Sequence, residues 1–191
     1  MAVMCGANVV RQDGVRLPVD ILESVEKERI TVLPVVPTIS ALLFRMESWE
    51  AFDLSSLRMV TNTGAHFPAA YIDEWRRRLP HIRLFPMYGL TECKRVSYLP
   101  PEDIPRKPDS VGIPMPGCTA RIVDERGREV PPGTAGELVV RGPNVMQGYW
   151  RDPGETAKVF RTNTESGQRI LYTGDIFRMD DEGYLYFVSR R

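Results

Sequence analysis

Histidine and cysteine are scarce in this sequence. His66 and His81 are the only two histidines among 191 residues, and Cys5, Cys93 and Cys118 are scattered, with neither CxxC nor metal-ligand spacing. A His/Cys metal cluster and a disulfide framework are thereby excluded, and free thiols point to a reducing compartment, the cytoplasm. Net charge is missing as well. With 25 basic and 25 acidic side chains the formal balance is zero, which gives no electrostatic ground for a nucleic acid or an anionic membrane as partner. No apolar run approaches the length of a membrane span, and the first residues lack a signal-peptide pattern. Internal repeats and low-complexity tracts are absent too. What is present, 42% hydrophobic and 26% charged residues, describes a soluble globular protein. The length suits one ordinary domain or two small ones. Sixteen prolines mark boundaries between elements.

The first half alternates strands and helices. Residues 1–4 and 6–10 are apolar enough to lie inside a sheet. Pro18 opens a helix with Val19, Leu22 and Val25 at helical spacing, and residues 31–36 form a β-branched strand interrupted by Pro34. A second helix starts at Pro37 or Thr38, with Ile39, Leu42, Leu43 and Met46 on one face. Residues 57–61 are a strand leading into the small-residue turn Asn62-Thr63-Gly64-Ala65. Pro68 opens a third helix in which Ala69, Ile72, Trp75 and Leu79 share a face and Arg76 to Arg78 face water. Residues 82–85 are the next buried strand. Such alternation predicts α/β architecture, a partial parallel sheet with flanking helices.

The character changes after Leu99. Pro100, Pro101, Pro105 and Pro108 form a connection, and helical periodicity becomes rare beyond it. Strands are expected at 119–123, 137–141, 170–173, 176–179 and 184–188, hairpin turns at 124–127 and 181–183, and one helix at 153–159. This half reads as a β-rich, distorted barrel-like subdomain. The expected division is 1–104 and 105–191.

One stretch concentrates chemistry: Met87-Tyr88-Gly89-Leu90-Thr91-Glu92-Cys93, after a buried strand. It combines an aromatic face, a Gly that permits close approach, a hydroxyl and a carboxylate, the groups that a nucleotide with a magnesium ion needs. The same residues also suit a strand-to-helix turn, with Thr91 and Glu92 favouring a helix N-terminus. Thr-Gly-Asp at 173–175 taken alone is a common turn, and Arg190 alone is a solvated charge. His66, beside Gly64 and Ala65, suits a pocket wall and a turn equally. Cys93 adjoins Glu92 but has no base nearby, which excludes a thiol nucleophile.

Four ordered stretches carry a resemblance: Tyr88-Gly89-Leu90-Thr91-Glu92; residues 136–142 with Gly148-Tyr149-Trp150; Tyr172-Thr173-Gly174-Asp175; and Gly183 through Ser189-Arg190. Together the chain resembles the adenylate-forming superfamily of acyl-CoA synthetases, luciferase-like enzymes and peptide-synthetase adenylation domains. The resemblance implies ATP-dependent activation of a carboxylic acid as an acyl-adenylate, followed by transfer to coenzyme A or to a carrier-protein thiol. It implies that Tyr88 stacks on adenine or borders the acyl pocket, and that Gly89 lets the substrate carboxylate pass. Thr91 would bond the α-phosphate and Glu92 would hold Mg²⁺, making these two the catalytic pair. Asp175 would accept from the ribose hydroxyls, Arg190 would reach ribose or phosphate, Phe187 would lie against the nucleoside, and Gly64 and Ala65 would form the wall where adenine and acyl group meet. Leu90 leans toward acyl-CoA synthetases.

The sequence also departs from that pattern. No Ser/Thr/Gly-rich loop ending in Pro-Lys-Gly is found, and residues after Arg190 that would lead into a lid domain are not in the chain. Pro86 stands where many relatives carry a polar side chain, and Ser189 where Gly is usual. The expectation is a central fragment, inactive alone, with sheet edge near residues 1–4 open to self-association.

Overall fold

The computed structural model describes residues 6–11, 14, 17–65, 67–162 and 167–191. The expectations for residues 1–4 and for His66 fall outside them. Two compact units divide the chain: Met1–Asn62 with Phe67–Leu84, and Thr63–His66 with Phe85–Arg191. The division by compactness thus lies upstream of the 104/105 boundary suggested by composition. The reason is that the strands after Leu84 share a core with the later β-rich segments. No described helix is long and apolar enough to cross a membrane.

In the first unit, α1 (Pro18–Lys27) starts on Pro18 and is closed at its head by Leu17 N donating to Asp20 Oδ2 at 3.0 Å. Ile21, Leu22 and Val25 form its buried stripe. Strands β1 (Val32–Val35) and β2 (Met59–Asn62) pair in parallel from Val32↔Met59 to Val35↔Asn62, as the alternation requires. Between them lies α2 (Pro37–Phe44), whose buried residues are Ser40 and Leu43, while Leu42 is 42% exposed. The expected face of Ile39, Leu42, Leu43 and Met46 is therefore rotated. The helix is apolar on nearly every side, so hydrophobic spacing cannot choose its face. Trp75 does, by donating its indole N–H to Ser40 Oγ at 3.1 Å. Helix α3 (Ala69–Arg78) buries Ile72 and Trp75, and Trp75 meets Phe44 and Trp49 edge to face at 5.5 and 5.4 Å. Arg78 does not face water as expected. Its guanidinium lies 4.8 Å over Trp49 and donates to the Phe44 and Met46 carbonyls at 2.7 and 2.9 Å. Residues 6–10 are exposed and form no strand.

Strand β3 (Arg83–Leu90) begins in the first unit and runs into the second, where it pairs antiparallel with β4 (Cys93–Tyr98), and β4 with β5 (Ile113–Pro114). The second sheet runs β10 (Leu185–Arg190), β9 (Arg169–Met179), β7 (Gly136–Arg141), β6 (Thr119–Val123), all antiparallel. A short β8 (Phe160–Thr162) follows α4 (Pro153–Val159) and pairs with the start of β9. Among the described residues the strands do not close into a barrel. Cys93 and Val96 from β4 pack in one core with Leu138, Val140, Leu171, Phe177 and Leu185. Two expectations are corrected here. Leu90 pairs with Cys93, so Thr91 and Glu92 are a hairpin turn and no helix follows. The strands expected at 170–173 and 176–179 are one strand, β9, running through Thr173-Gly174-Asp175.

The proline-rich connection is pinned rather than loose. Lys107 Nζ reaches Asp180 Oδ2 at 2.6 Å and Glu182 Oε1 at 2.8 Å, and the Tyr184 hydroxyl donates to Asp103 Oδ2 at 2.5 Å. Tyr184 first, then Arg106, holds the Asp103 carboxyl below its ordinary 3.8 against opposing burial. Lys107, then Arg106, holds Glu182 below 4.5. A carboxylate depressed in the folded state adds stability that is complete above its unfolded value and is lost as pH falls through the folded one. Urea unfolding midpoints should therefore fall as the pH drops below about 4, and fall less steeply in Lys107→Met. Parallel profiles for the two proteins would mean that the cluster contributes nothing.

Candidate functional site

The site begins with a carboxylate inside a strand. Along β9, Leu171, Thr173, Asp175 and Phe177 are buried in alternation, so the strand's own pleat carries Asp175 to the inner face, where it is 6% exposed. Both neighbouring ladders are irregular there. Glu137 pairs with Ile176 and Val139 with Tyr172, which leaves Thr173, Gly174 and Asp175 opposite Leu138. On the other side the register shifts between Phe187 and Ser189, placing Arg190 across from Asp175. Gly174, at φ 71°, takes the left-handed conformation that the bulge needs. Side chains replace the missing ladder bonds: Thr173 Oγ1 donates to Leu138 O at 2.8 Å and accepts from Asp175 N at 3.1 Å, and Gly174 N donates to Glu137 Oε1 at 3.1 Å.

Tyr88 reaches this carboxylate from β3. Its hydroxyl donates to Asp175 Oδ2 at 2.6 Å, across 87 residues of sequence, and its ring meets Phe177 edge to face at 4.8 Å. Burial first, then the hydrogen bond to Asp175, pushes the Tyr88 phenol well above its ordinary range, so it stays a donor. Arg190 Nε lies 3.6 Å from Asp175 Oδ1, with its side chain largely exposed. Phe187, 43% exposed, stands edge to face against Phe177 at 5.5 Å. Tyr88, Asp175, Phe187 and Arg190 are thus brought together. The Tyr88 strand, however, is antiparallel to its neighbour β4, and Tyr88 lies within it rather than past its end.

Gly89 is required by the chain itself. A Cβ there would sit 2.3 Å from Lys94 O, where β4 bulges across the hairpin. Next to it, Thr91 is exposed in the turn and Glu92 half-buried. Glu92 is held from an unexpected side. The Tyr149 hydroxyl donates to Glu92 Oε1, and Met146 N donates to the Glu92 carbonyl at 2.8 Å. The hydrogen bond to Glu92, then burial, pushes the Tyr149 phenol up to about 12. Gly148-Tyr149-Trp150 belonged to the resemblance, but no role for Tyr149 was readable. A tyrosine after a glycine, just ahead of a capped helix, was the available signal. Cys93 is buried, which pushes its thiol up to about 12 and agrees with excluding it as a nucleophile. Gly64 and Ala65 belong to the same compact unit as these residues, and Gly64 turns the chain at φ 89°.

Among the described residues no group of three or more His, Cys, Asp or Glu could cage a metal. A single carboxylate, Glu92, in an exposed turn fits the habit of Mg²⁺, which binds through one or two carboxylates together with substrate phosphates and waters. The donor set therefore fits an ion that arrives with a nucleotide.

The sequence profile of the AMP-binding enzyme family matches residues 1–150. Similar proteins include an indoleacetate–CoA ligase of Aromatoleum aromaticum, 39% identical over 170 residues, which cover 88% of this chain and 32% of that protein. A feruloyl-CoA synthase of Amycolatopsis sp. is 36% identical over 174 residues, 91% of this chain and 34% of that protein. Among solved structures, the amide bond synthetase McbA from Marinactinospora thermotolerans superposes with a TM-score of 0.85 at 33% identity, over 96% of this chain and 36% of that one. The o-succinylbenzoate coenzyme A synthetase MenE of Bacillus subtilis, in complex with AMP, gives 0.83 at 30% identity, over 100% of this chain and 37% of that one. The chain spans about a third of the length of these relatives. Since the profile covers most of the sequence, the chain belongs to the AMP-binding enzyme family.

Proposed function

We propose that the full-length protein carrying this chain activates a carboxylic acid with ATP and passes the acyl group to coenzyme A. The substrate carboxylate attacks the α-phosphorus in line and pyrophosphate leaves, giving an acyl-adenylate. A thiolate then attacks the acyl carbon and AMP leaves. The observation that carries this reading is the buried Asp175 carboxylate, with the Tyr88 hydroxyl on one oxygen and Arg190 beside the other. The names of the relatives, CoA ligases and a CoA synthase, support the acceptor.

In this reading Asp175 accepts from the vicinal ribose hydroxyls. Each carboxylate oxygen offers two lone pairs, so Oδ2 can take a ribose hydroxyl without giving up Tyr88. Arg190 adds positive charge toward ribose or phosphate, Phe187 covers one side of the nucleoside, and Gly64 and Ala65 line the junction of adenine and acyl group. The ring of Tyr88 borders the base or the acyl pocket, Gly89 passes the substrate carboxylate, and Thr91 donates to the α-phosphate. Mg²⁺ on Glu92, when bound, neutralises charge on the phosphoryl group. The compartment in this reading is the cytoplasm, from the scattered cysteines. The 1–104 and 105–191 division stands as a proposal about how the site is assembled, and self-association through residues 1–4 as one about the chain alone.

Two experiments on the full-length protein test the reading. Glu92→Ala should lower pyrophosphate exchange by about 10²–10³-fold, the size seen when one preorganised electrostatic partner is lost, and Glu92→Gln nearly as far. Unchanged exchange in both folded variants would leave Glu92 a turn residue. Asp175→Asn should weaken AMP binding by about 10-fold or more, the loss expected for hydrogen bonds to a charged group. It should also narrow the preference for AMP over 2′-deoxy-AMP. Equal binding of the two nucleotides by the unaltered protein would remove the ribose role. Transfer to a phosphopantetheinyl protein instead of free coenzyme A would assign the acceptor to a carrier protein.

A further inference from the structure

We propose that Tyr149 is the positioning residue for Glu92, fixing which carboxylate oxygen is left for the metal; the inference rests on reading Glu92 as the metal-facing carboxylate. Glu92 sits in a hairpin turn between Leu90 and Cys93, half-buried, and ordering such a long side chain is costly. The Tyr149 hydroxyl donates to Oε1, and no described residue donates to Oε2. With Oε1 holding the phenol, Oε2 is the oxygen that keeps both lone pairs open. That suits Mg²⁺, whose small octahedral shell takes carboxylates singly, better than a larger ion that accepts both oxygens.

The loop that presents Tyr149 is fixed at both ends. On one side Cys93 bridges Val145, and Met146 N holds the Glu92 carbonyl at 2.8 Å. On the other, Tyr149 N donates to Thr156 Oγ1 at 3.0 Å, and that hydroxyl donates to Asp152 O at 2.7 Å. Asp152 caps α4 by accepting from Glu155 N at 2.9 Å. Gly148 lets the backbone pass this helix: at φ 147°, a Cβ on it would sit 2.7 Å from Thr156 Cγ2. The start of α4 therefore sets the Tyr149 backbone, and Tyr149 sets the Glu92 side chain. Tyr149 and Thr156 are both only half-buried and neither belongs to the core cluster, although Val145 and Met146 beside them pack against it.

The test uses the full-length protein, Mn²⁺ as a paramagnetic substitute and α,β-methylene-ATP as an unreactive nucleotide. Bound and free Mn²⁺ are separated by electron paramagnetic resonance. Tyr149→Phe removes only the hydroxyl and should weaken Mn²⁺ binding about 10-fold, the usual effect of losing a group that orients a metal ligand. Nucleotide affinity in EDTA should not change. In a Glu92→Ala background, Tyr149→Phe should have no further effect, because it acts only through Glu92. Thr156→Val, which frees the Tyr149 backbone and keeps its hydroxyl, should move Mn²⁺ affinity in the same direction and serves if Tyr149→Phe does not fold. If Glu92→Ala weakens Mn²⁺ binding while neither Tyr149→Phe nor Thr156→Val does, the positioning role is overturned and the reading of Glu92 stands. If Glu92→Ala leaves Mn²⁺ binding intact, both are overturned. A Tyr149→Phe effect that persists in full without Glu92 makes Tyr149 a structural residue.

Discussion

Asp175 carries a carboxylate into a row of buried side chains, between Thr173 and Phe177, and much of the second unit is arranged around keeping it there. An isolated carboxylate in such a place costs several kcal/mol of desolvation. The strand meets that cost by breaking its own ladder. The bulge frees Thr173 to bond the Leu138 carbonyl and the Asp175 amide, so these two backbone groups keep partners at the break. The carboxylate needs partners from elsewhere: Tyr88 donates to Oδ2, and Arg190 places its positive charge 3.6 Å from Oδ1. Tyr88 can deliver its hydroxyl only if the β3–β4 hairpin holds its register, which in turn requires Gly89 to have no Cβ.

Glu92 is held on a different principle. Asp175 is rigid because a sheet surrounds it, whereas Glu92 is in a turn and borrows rigidity from a loop tied to a helix cap. A group that binds an uncharged diol gains from being locked into one position, since its ligand is always the same shape. A group that receives an ion with a phosphate has to be oriented and yet approachable. In the proposed reading the two carboxylates use these two solutions within one compact unit, and the difference lies in the supporting residues rather than in the carboxylates themselves.

Much of this architecture was readable from sequence where local pattern and final environment agree. α1 and α4 begin on prolines as written, and β6 alternates from Ala120 to Ile122 as a half-buried strand should, whereas β7, read as alternating, buries Leu138, Val139 and Val140 in a row. It was unreadable where a residue type has two common uses. Gly174 reads as a turn, but its positive φ serves a bulge within β9. Thr91-Glu92 reads as a helix start, but the strand on each side makes it a hairpin. The face of α2 was set by the Trp75 indole reaching Ser40, a contact thirty-five residues away that no periodicity encodes. In the site, Tyr88, Asp175, Phe187 and Arg190 were legible because the motifs name them. Tyr149 was not, since its importance lies in which carboxylate its hydroxyl meets.

Every candidate residue, from Gly64 and Ala65 to Arg190, falls in the unit formed by Thr63–His66 and Phe85–Arg191. The first unit contains an aromatic cluster of Phe44, Trp49 and Trp75 under Arg78. The side chains that hold the carboxylates at 92 and 175 come from the second unit: Tyr149 for Glu92, and Tyr88 and Arg190 for Asp175. The geometry at Asp175 and Glu92 answers to residues such as Gly89, Thr173, Gly148 and Thr156. In the proposed reading Thr173, Gly148 and Thr156 touch no substrate, and Gly89 alone borders one. Each fixes a backbone path, and the backbone path decides which oxygen of which carboxylate is left open.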